Sequence, residues 1–208
     1  QRYVQSIGHS GHHFNWRIMA DTFWTEQEFT RQDYTQQKLP RGDYENCRFV
    51  DCLFSNGYLD NQNFVDCVFE DCDLTNANMA HTTLNEVTFK DCKLVGVQFE
   101  TCNPLLLSLH FIGCNLSVAS FHGMDLPRTV FQDCRLHQTD FSETLLKEGK
   151  FVDCDFKDAI FDQTDLAQAD LTSSINFNID PSINHLKKTR FSKEGLSGLL
   201  KKYDIVVT

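Results

Sequence analysis

The sequence predicts a solenoid of four-sided coils, and three regularities carry that prediction. First, a hexapeptide keeps returning. Phe49-Val50-Asp51-Cys52-Leu53-Phe54 is succeeded by close variants starting at Phe69, Phe89, Phe111, Phe131 and Phe151, at intervals of 20, 20, 22, 20 and 20 residues. Second, a large apolar residue falls at every fifth position, from Phe49 through Phe54, Leu59 and Phe64 to Phe99, and again from Phe111 to Leu171. Third, the residue two places before each of these beats is usually small or thin: Cys, Ala, Thr, Gly or Val. A period of five fits neither a helix face, at 3.6, nor a strand face, at 2. Stacked coils remain, with 20 residues and four beats to a turn.

Taken in order, residues 1–22 share no beat with the rest of the chain and read as a leader or extension, with Met19 a plausible natural start. A metal-binding cluster of His9, His12 and His13 is the alternative there. The repeat domain is expected over residues 23–176. Its first part carries a degraded beat at Phe29, Tyr34, Leu39 and Tyr44, with Gln27, Gln32 and Gln37 where small inward residues belong. A solenoid end needs such polar, atypical units, so this stretch reads as a cap. Regular coils then run from about Gly42 to Asn176.

Within those coils Phe49, Phe69, Phe89, Phe111, Phe131 and Phe151 should form one interior column, and Cys52, Cys72, Cys92, Cys114, Cys134 and Cys154 another. Coil stacking sets neighbours of a column ~4.8 Å apart at Cα, inside the disulfide window. Their Cβ vectors run parallel, however, so reduced, buried thiols and a cytoplasmic protein are expected. No metal is expected either. There is no CxxC, and Cys134 with His137 has no second pair to complete a site.

The one phase error lies in residues 101–110, where two extra residues and Pro104 predict a bulge or small protruding loop. Asn103, Pro104 and Leu105 are its candidate partner contacts, although its leucines could equally fill the interior. Residues 177–208 form the expected tail. Ser192 should cap a helix with Leu196, Leu199, Leu200 and Tyr203 on one face, followed by a short strand over residues 204–208 that includes Ile205 and Val207. These six apolar residues are expected both to cap the last coil and to join a second copy.

Charge is the functional signal. Of a formal net charge of −10, residues 42–176 hold 22 acidic and 8 basic residues, while the flanks are slightly basic. Asp51, Asp71, Asp91, Asp133 and Asp153 occupy one outward column, interrupted by Gly113, and Asp155, Asp158, Asp162, Asp165 and Asp170 thicken the acidity near the last coils. Asp at a corner can also satisfy turn amides, and the two roles are compatible. One Asp column offers a charge per ~4.8 Å of axis, against one per ~3.4 Å for a DNA strand. Such a rod repels nucleic acid and attracts proteins that bind it, so no direct nucleic-acid binding is expected. No run reaches the length of a membrane span. No nucleophile and base share an evident cleft, so neither an enzyme nor a cofactor is expected.

The units Ala77-Asn78-Met79, Thr164-Asp165-Leu166 and Ala169-Asp170-Leu171 match the A(D/N)LXX pattern of the pentapeptide repeat family, and Cys72-Asp73-Leu74 and Cys154-Asp155-Phe156 look like its Cys variants. The resemblance covers about residues 42–176 and implies a right-handed quadrilateral β-helix. The Phe-x-Asp-Cys units, Gly96-Val97, the stretch Asn178-Ile179-Asp180-Pro181 and the apolar tail resemble more narrowly the topoisomerase-protecting members: Qnr-type, microcin-immunity and albicidin-resistance proteins. That likeness implies a homodimer through the tail and a DNA-like surface presented to DNA gyrase or topoisomerase IV. The irregular segment is much shorter than the large loop of Qnr-type proteins, which points towards a peptide or natural-product poison. A scaffold for a partner other than a topoisomerase is the alternative.

Overall fold

The five-residue beat closes into a square tube. A computed structural model describes residues 22–205 and shows a parallel β-solenoid of about eight turns. The histidines at 9, 12 and 13, Met19, and the end of the expected strand, Val207 included, lie outside the described residues. Each coil has four walls, numbered by their central inward residues: wall 1 through Phe49, wall 2 through Phe54, wall 3 through Leu59 and wall 4 through Phe64. Wall 1 is a nine-stranded parallel sheet running from Glu28–Thr30 through Arg48–Val50, Val68–Glu70 and Val130–Gln132 to Arg190–Phe191. Wall 4 begins as a four-stranded sheet, Thr22–Thr25, Gly42–Glu45, Asn63–Val65 and Thr83–Asn85, and walls 2 and 3 are held by single bridges such as Leu53 to Asp73 and Asp140 to Ile160.

The register follows the repeat interval, Phe49 beside Phe69 and, across the longer interval, Phe89 beside Phe111. The inward rings stack with that spacing. Phe111, Phe131 and Phe151 lie 4.9 and 5.1 Å apart, and a second stack through Phe99, Phe121 and Phe141 meets the first edge to face. These are the two favoured aromatic geometries.

Why the position two before the beat is small but often polar is answered by its hydrogen bonds. The Sγ of Cys92 donates to the carbonyl of Phe69 at 3.3 Å, and the Oγ1 of Thr144 to that of Phe121 at 2.8 Å. Thr139, Thr164 and Ser174 do the same for the coil below them. The Leu116, Phe121 and Phe141 carbonyls also accept the turn amides of Ala119, Met124 and Thr144, so the bond chiefly satisfies the buried hydroxyl itself, which without a partner would carry a desolvation penalty of about 1–3 kcal/mol. All nine cysteines are free and buried, and burial pushes the thiols of Cys67 and Cys102 up to about 12.

The corners explain the outward polar columns. The residue two after most beats sits in the left-handed region, Asn46, Asp51, Asn56, Asn61 and Asp66 all near φ +55°, with Gly96 and Gly113 taking the same slot. Asn and Asp tolerate this conformation better than other side chains.

The extra residues fall on wall 4. Asn103 N donates to Thr82 O and Ser108 N to Leu84 O, and the backbone between them leaves the wall. The leucines divide: Leu105 and Leu106 project, 66 and 68 % exposed, while Leu107 packs against the core and Leu109 is buried. Past Asn176 the ladder continues for most of a turn, with Ile179 buried and Leu186 packed inward, before the tail begins. That tail is not the single-faced helix expected from the leucine spacing. It forms short 3-10 turns at Glu194–Leu199 and Lys201–Tyr203, entered through a hydrogen bond from Gly195 N to the Ser192 hydroxyl. Gly195 and Gly198 press on Phe177, which dictates the geometry: a Cβ on Gly198 would lie 2.5 Å from the Phe177 carbonyl oxygen. Leu199 and Leu200 are half-buried, whereas Leu196, Tyr203 and Ile205 face outward, so the apolar residues split between two sides. Ile205 itself is outside any strand.

Candidate functional site

Outward side chains on each wall come from the positions one before, one after and two after the beat, so the fold assigns every charge to a wall. Wall 1 is largely neutralised. Glu28, Arg48, Glu70 and Lys90 form a ladder of ion pairs up successive coils, and bonds from Lys90 and Arg48 hold the Glu70 carboxyl below its usual range.

The Asp51, Asp71, Asp91, Asp133 and Asp153 column lies along the corner between walls 1 and 2, fully outward, with Asp51 paired to Arg31 at 3.3 Å. Among the described residues, none of these five carboxylates accepts a backbone amide. That task belongs to a different column, one residue before the beat: Asp73, Asp140, Asp155, Asp165 and Asp170 each accept the N–H two residues ahead. The turn-amide role expected of the first column is therefore filled elsewhere, and its Asp residues are present for their left-handed backbone.

The late aspartates do not form one patch. Asp155 and Asp158 are on wall 2, Asp162 on wall 3, Asp165 on wall 4 and Asp170 on wall 1. Three are held by neighbours. Partial burial works against the Asp155 charge, but Asn176 and His137 outweigh it and keep the carboxyl low; His185 lies 3.0 Å from Asp165, and Arg190 bonds Asp170. Asp158 and Asp162 remain exposed.

Wall 3 is an anionic surface of which sequence counting found only Asp162. Past Arg41 it presents Asp60, Glu100, Asp140, Glu143 and Asp162 with no Lys or Arg of its own until Lys202 of the tail reaches Asp180. Lys38, in its first coil, is folded over the Tyr58 ring. The adjoining half of wall 4 continues the pattern with Glu26, Asp43, Glu45, Asp66 and Glu86, again without a cation. Together these give about one carboxylate per ~4 Å of tube, near the ~3.4 Å of one DNA strand. The signal was present in the spacing, since assigning each charge by the five- and twenty-residue periods recovers it once the two extra residues of the loop are taken out of the count.

Beyond the loop, wall 4 changes character. Arg128, Lys147, Lys187 and Lys188 appear there, and a groove of about 310 Å³ is lined by Lys147, Asp165, His185, Lys187 and Lys188. A second groove, about 410 Å³, lies beside the loop between Glu86, Leu107, His110 and Arg128. Among the described residues no three His, Cys, Asp or Glu side chains are arranged to hold a metal ion, and no helix is long and apolar enough to cross a membrane.

Among solved structures the chain resembles trypsin-treated forms of QnrB1, a plasmid-mediated fluoroquinolone resistance protein. One trypsin-treated variant matches with a TM-score of 0.68 and 18 % identity over 90 % of this chain and 92 % of that one. A second matches with a TM-score of 0.60, also at 18 % identity, over 90 % and 98 %. At this identity the likeness concerns the fold. No curated protein matches. The family model described as "Pentapeptide repeat region" matches residues 42–104 and 106–179, and the chain thus belongs to the pentapeptide repeat family.

Proposed function

We propose that this protein binds a bacterial type II topoisomerase, DNA gyrase or topoisomerase IV, in the place of DNA and protects it from a poison, conferring resistance or self-immunity. The observation that carries the reading is the cation-free run of carboxylates on wall 3 and the adjoining half of wall 4. A cationic DNA-binding channel is the complement of such a surface, and the long-range field speeds encounter. The corner column Asp51, Asp71, Asp91, Asp133 and Asp153, with Asp155, Asp158 and Asp162, extends the anionic surface around the tube. The loop at Asn103, Pro104 and Leu105 supplies an apolar contact. The tail contributes Leu199 and Leu200 to the last coil, and Leu196, Tyr203 and Ile205, with Val207 beyond them, to an end-to-end contact with a second copy. Nine buried thiols without a disulfide fit a cytoplasmic setting. The protein acts as a scaffold, with no catalytic group or cofactor of its own.

The test is whether purified protein restores gyrase supercoiling and topoisomerase IV decatenation in the presence of quinolone, microcin-type and albicidin-type poisons. Rescue that is lost when Glu100, Asp140 and Asp162 are changed together to Lys supports the proposal. Failure to rescue any of the poisons with protein in excess, or recovery of a different stoichiometric partner and no topoisomerase subunit, overturns it.

A further inference from the structure

Wall 4, of which the proposed topoisomerase surface takes only the anionic half and the loop, has a symmetry of arrangement along its whole length. The loop occupies its middle rung: four rungs precede it, centred on Trp24, Tyr44, Phe64 and Leu84, and four come after, centred on Leu126, Leu146, Leu166 and Leu186. The rungs before it carry only carboxylates, Glu26, Asp43, Glu45, Asp66 and Glu86. Those after it carry the cations Arg128, Lys147, Lys187 and Lys188 beside Asp125, Glu148 and Asp165, the last of these next to His185. At the midpoint stand the two most exposed large apolar side chains of the described residues, Leu105 and Leu106.

We propose that wall 4 is a self-complementary contact through which two copies associate side by side and antiparallel, with the loops meeting at the two-fold axis. The axis lies across the wall at the loop, so each anionic half faces the cation-bearing half of the other copy. Along the corner column Glu86 then meets Arg128, and Glu26 meets Lys188. Asp66 meets Glu148 in that column and Asp43 meets Asp165 in the column one before the beat, the two like-charged pairs of the contact, the second with His185 beside it. A parallel pairing would set every rung against its own copy, carboxylates against carboxylates, so the charges select the antiparallel one. Eight coil spacings of ~4.8 Å and a wall about 13 Å wide give roughly 500 Å² per copy and about 1,000 Å² in total. That is the lower end for a specific interface, so the association is weak and depends on concentration and salt. Wall 3 stays exposed, whereas the anionic half of wall 4 and the loop are covered in the pair, so self-association competes with topoisomerase binding there and yields to it when the weak pair dissociates. This contact is separate from the end-to-end one proposed for the tail, and the two used together would generate an open array, since two dyads crossing one tube at different heights combine into a screw displacement.

Cross-linking distinguishes the arrangements. The native thiols are buried, so a single Leu105→Cys variant of the full chain carries one reactive thiol, placed close to its own copy at the proposed axis. Mild oxidation in low salt should give a disulfide-linked dimer from Leu105→Cys, lost at about 0.5 M NaCl, where the screening length falls to a few ångströms. An Ile205→Cys variant reports the tail contact independently. Glu26 and Lys188 sit about 38 Å apart within one tube and can meet only between antiparallel copies. Glu26→Lys should therefore lower the Leu105→Cys cross-linking yield several-fold, and Glu26→Lys with Lys188→Glu should restore it. Monomers of Leu105→Cys under oxidation at high concentration, cross-linking through Ile205→Cys alone, or failure of the double swap to restore the yield would overturn the proposal.

Discussion

Replacing Phe131 by Ala tests the stacked core most directly. Its ring is fully buried, stacked between Phe111 at 4.9 Å and Phe151 at 5.1 Å, and met edge-on by Phe121 at 5.7 Å and Phe141 at 6.0 Å. Phe to Ala in a core costs about 3–5 kcal/mol, depending on how far the surroundings collapse into the space. Here collapse is resisted, because each neighbouring ring is fixed by the ladder of its own coil. The loss should fall at the upper end, about 5 kcal/mol, and it should act locally, because coils are coupled only to their neighbours. Urea unfolding followed by circular dichroism should then show the transition broaden or split, with the coils on either side of Phe131 melting apart. Phe131→Leu, which keeps most of the volume, should lose only about 1.5 kcal/mol. A loss below about 2 kcal/mol for Phe131→Ala, with a single unchanged transition, would refute the idea that the rings form one continuous stack bearing on coil-to-coil coupling.

Three further outcomes are expected. Gly198→Ala should undock the tail, because the added methyl would lie within 2.6 Å of the Phe177 ring as well as against its carbonyl; faster amide exchange over residues 194–203 with unchanged coil protection checks it. The bond from Lys202 at 2.8 Å pushes Asp180 down to about 2 from its usual 3.8, so its contribution to holding the tail is complete above about pH 4 and is lost as pH falls towards 2. Amide exchange of the same segment across that window measures it, and a tail equally protected at pH 2 would remove Lys202–Asp180 as its anchor. The nine thiols should be unreactive to a disulfide reagent in the native protein and all react once it is unfolded, since every one is buried out of the reagent's reach.

The interior was legible in the sequence because it repeats: the Phe and Cys columns need only the intervals of 20 and 5 to be placed. The outward charges were harder. Counting acids along the chain drew attention to Asp71, Asp91 and Asp133, which stand out because they recur in identical company. Asp60, Glu100, Asp140 and Asp162 share a wall without sharing a motif, and the excursion must be placed on one wall before the later charges can be assigned. The two aspartate columns also differ by a physical role that composition does not reveal, one set by a left-handed backbone and the other by an accepted amide. The tail departed from its leucine pattern because Gly195 and Gly198 answer to Phe177, a contact between residues that no local periodicity connects.

Each coil offers the next the same rows of donors and acceptors at the same four corners. The molecule is thus a modular ruler. Duplicating any block of twenty residues would lengthen it by one step of about 4.8 Å and leave its cross-section unchanged. Fewer residues than that have nowhere to go but outward, as the leucine-tipped excursion on wall 4 demonstrates. Reach along a partner can therefore evolve by whole turns, while new shapes on the walls arise only from fractions of one.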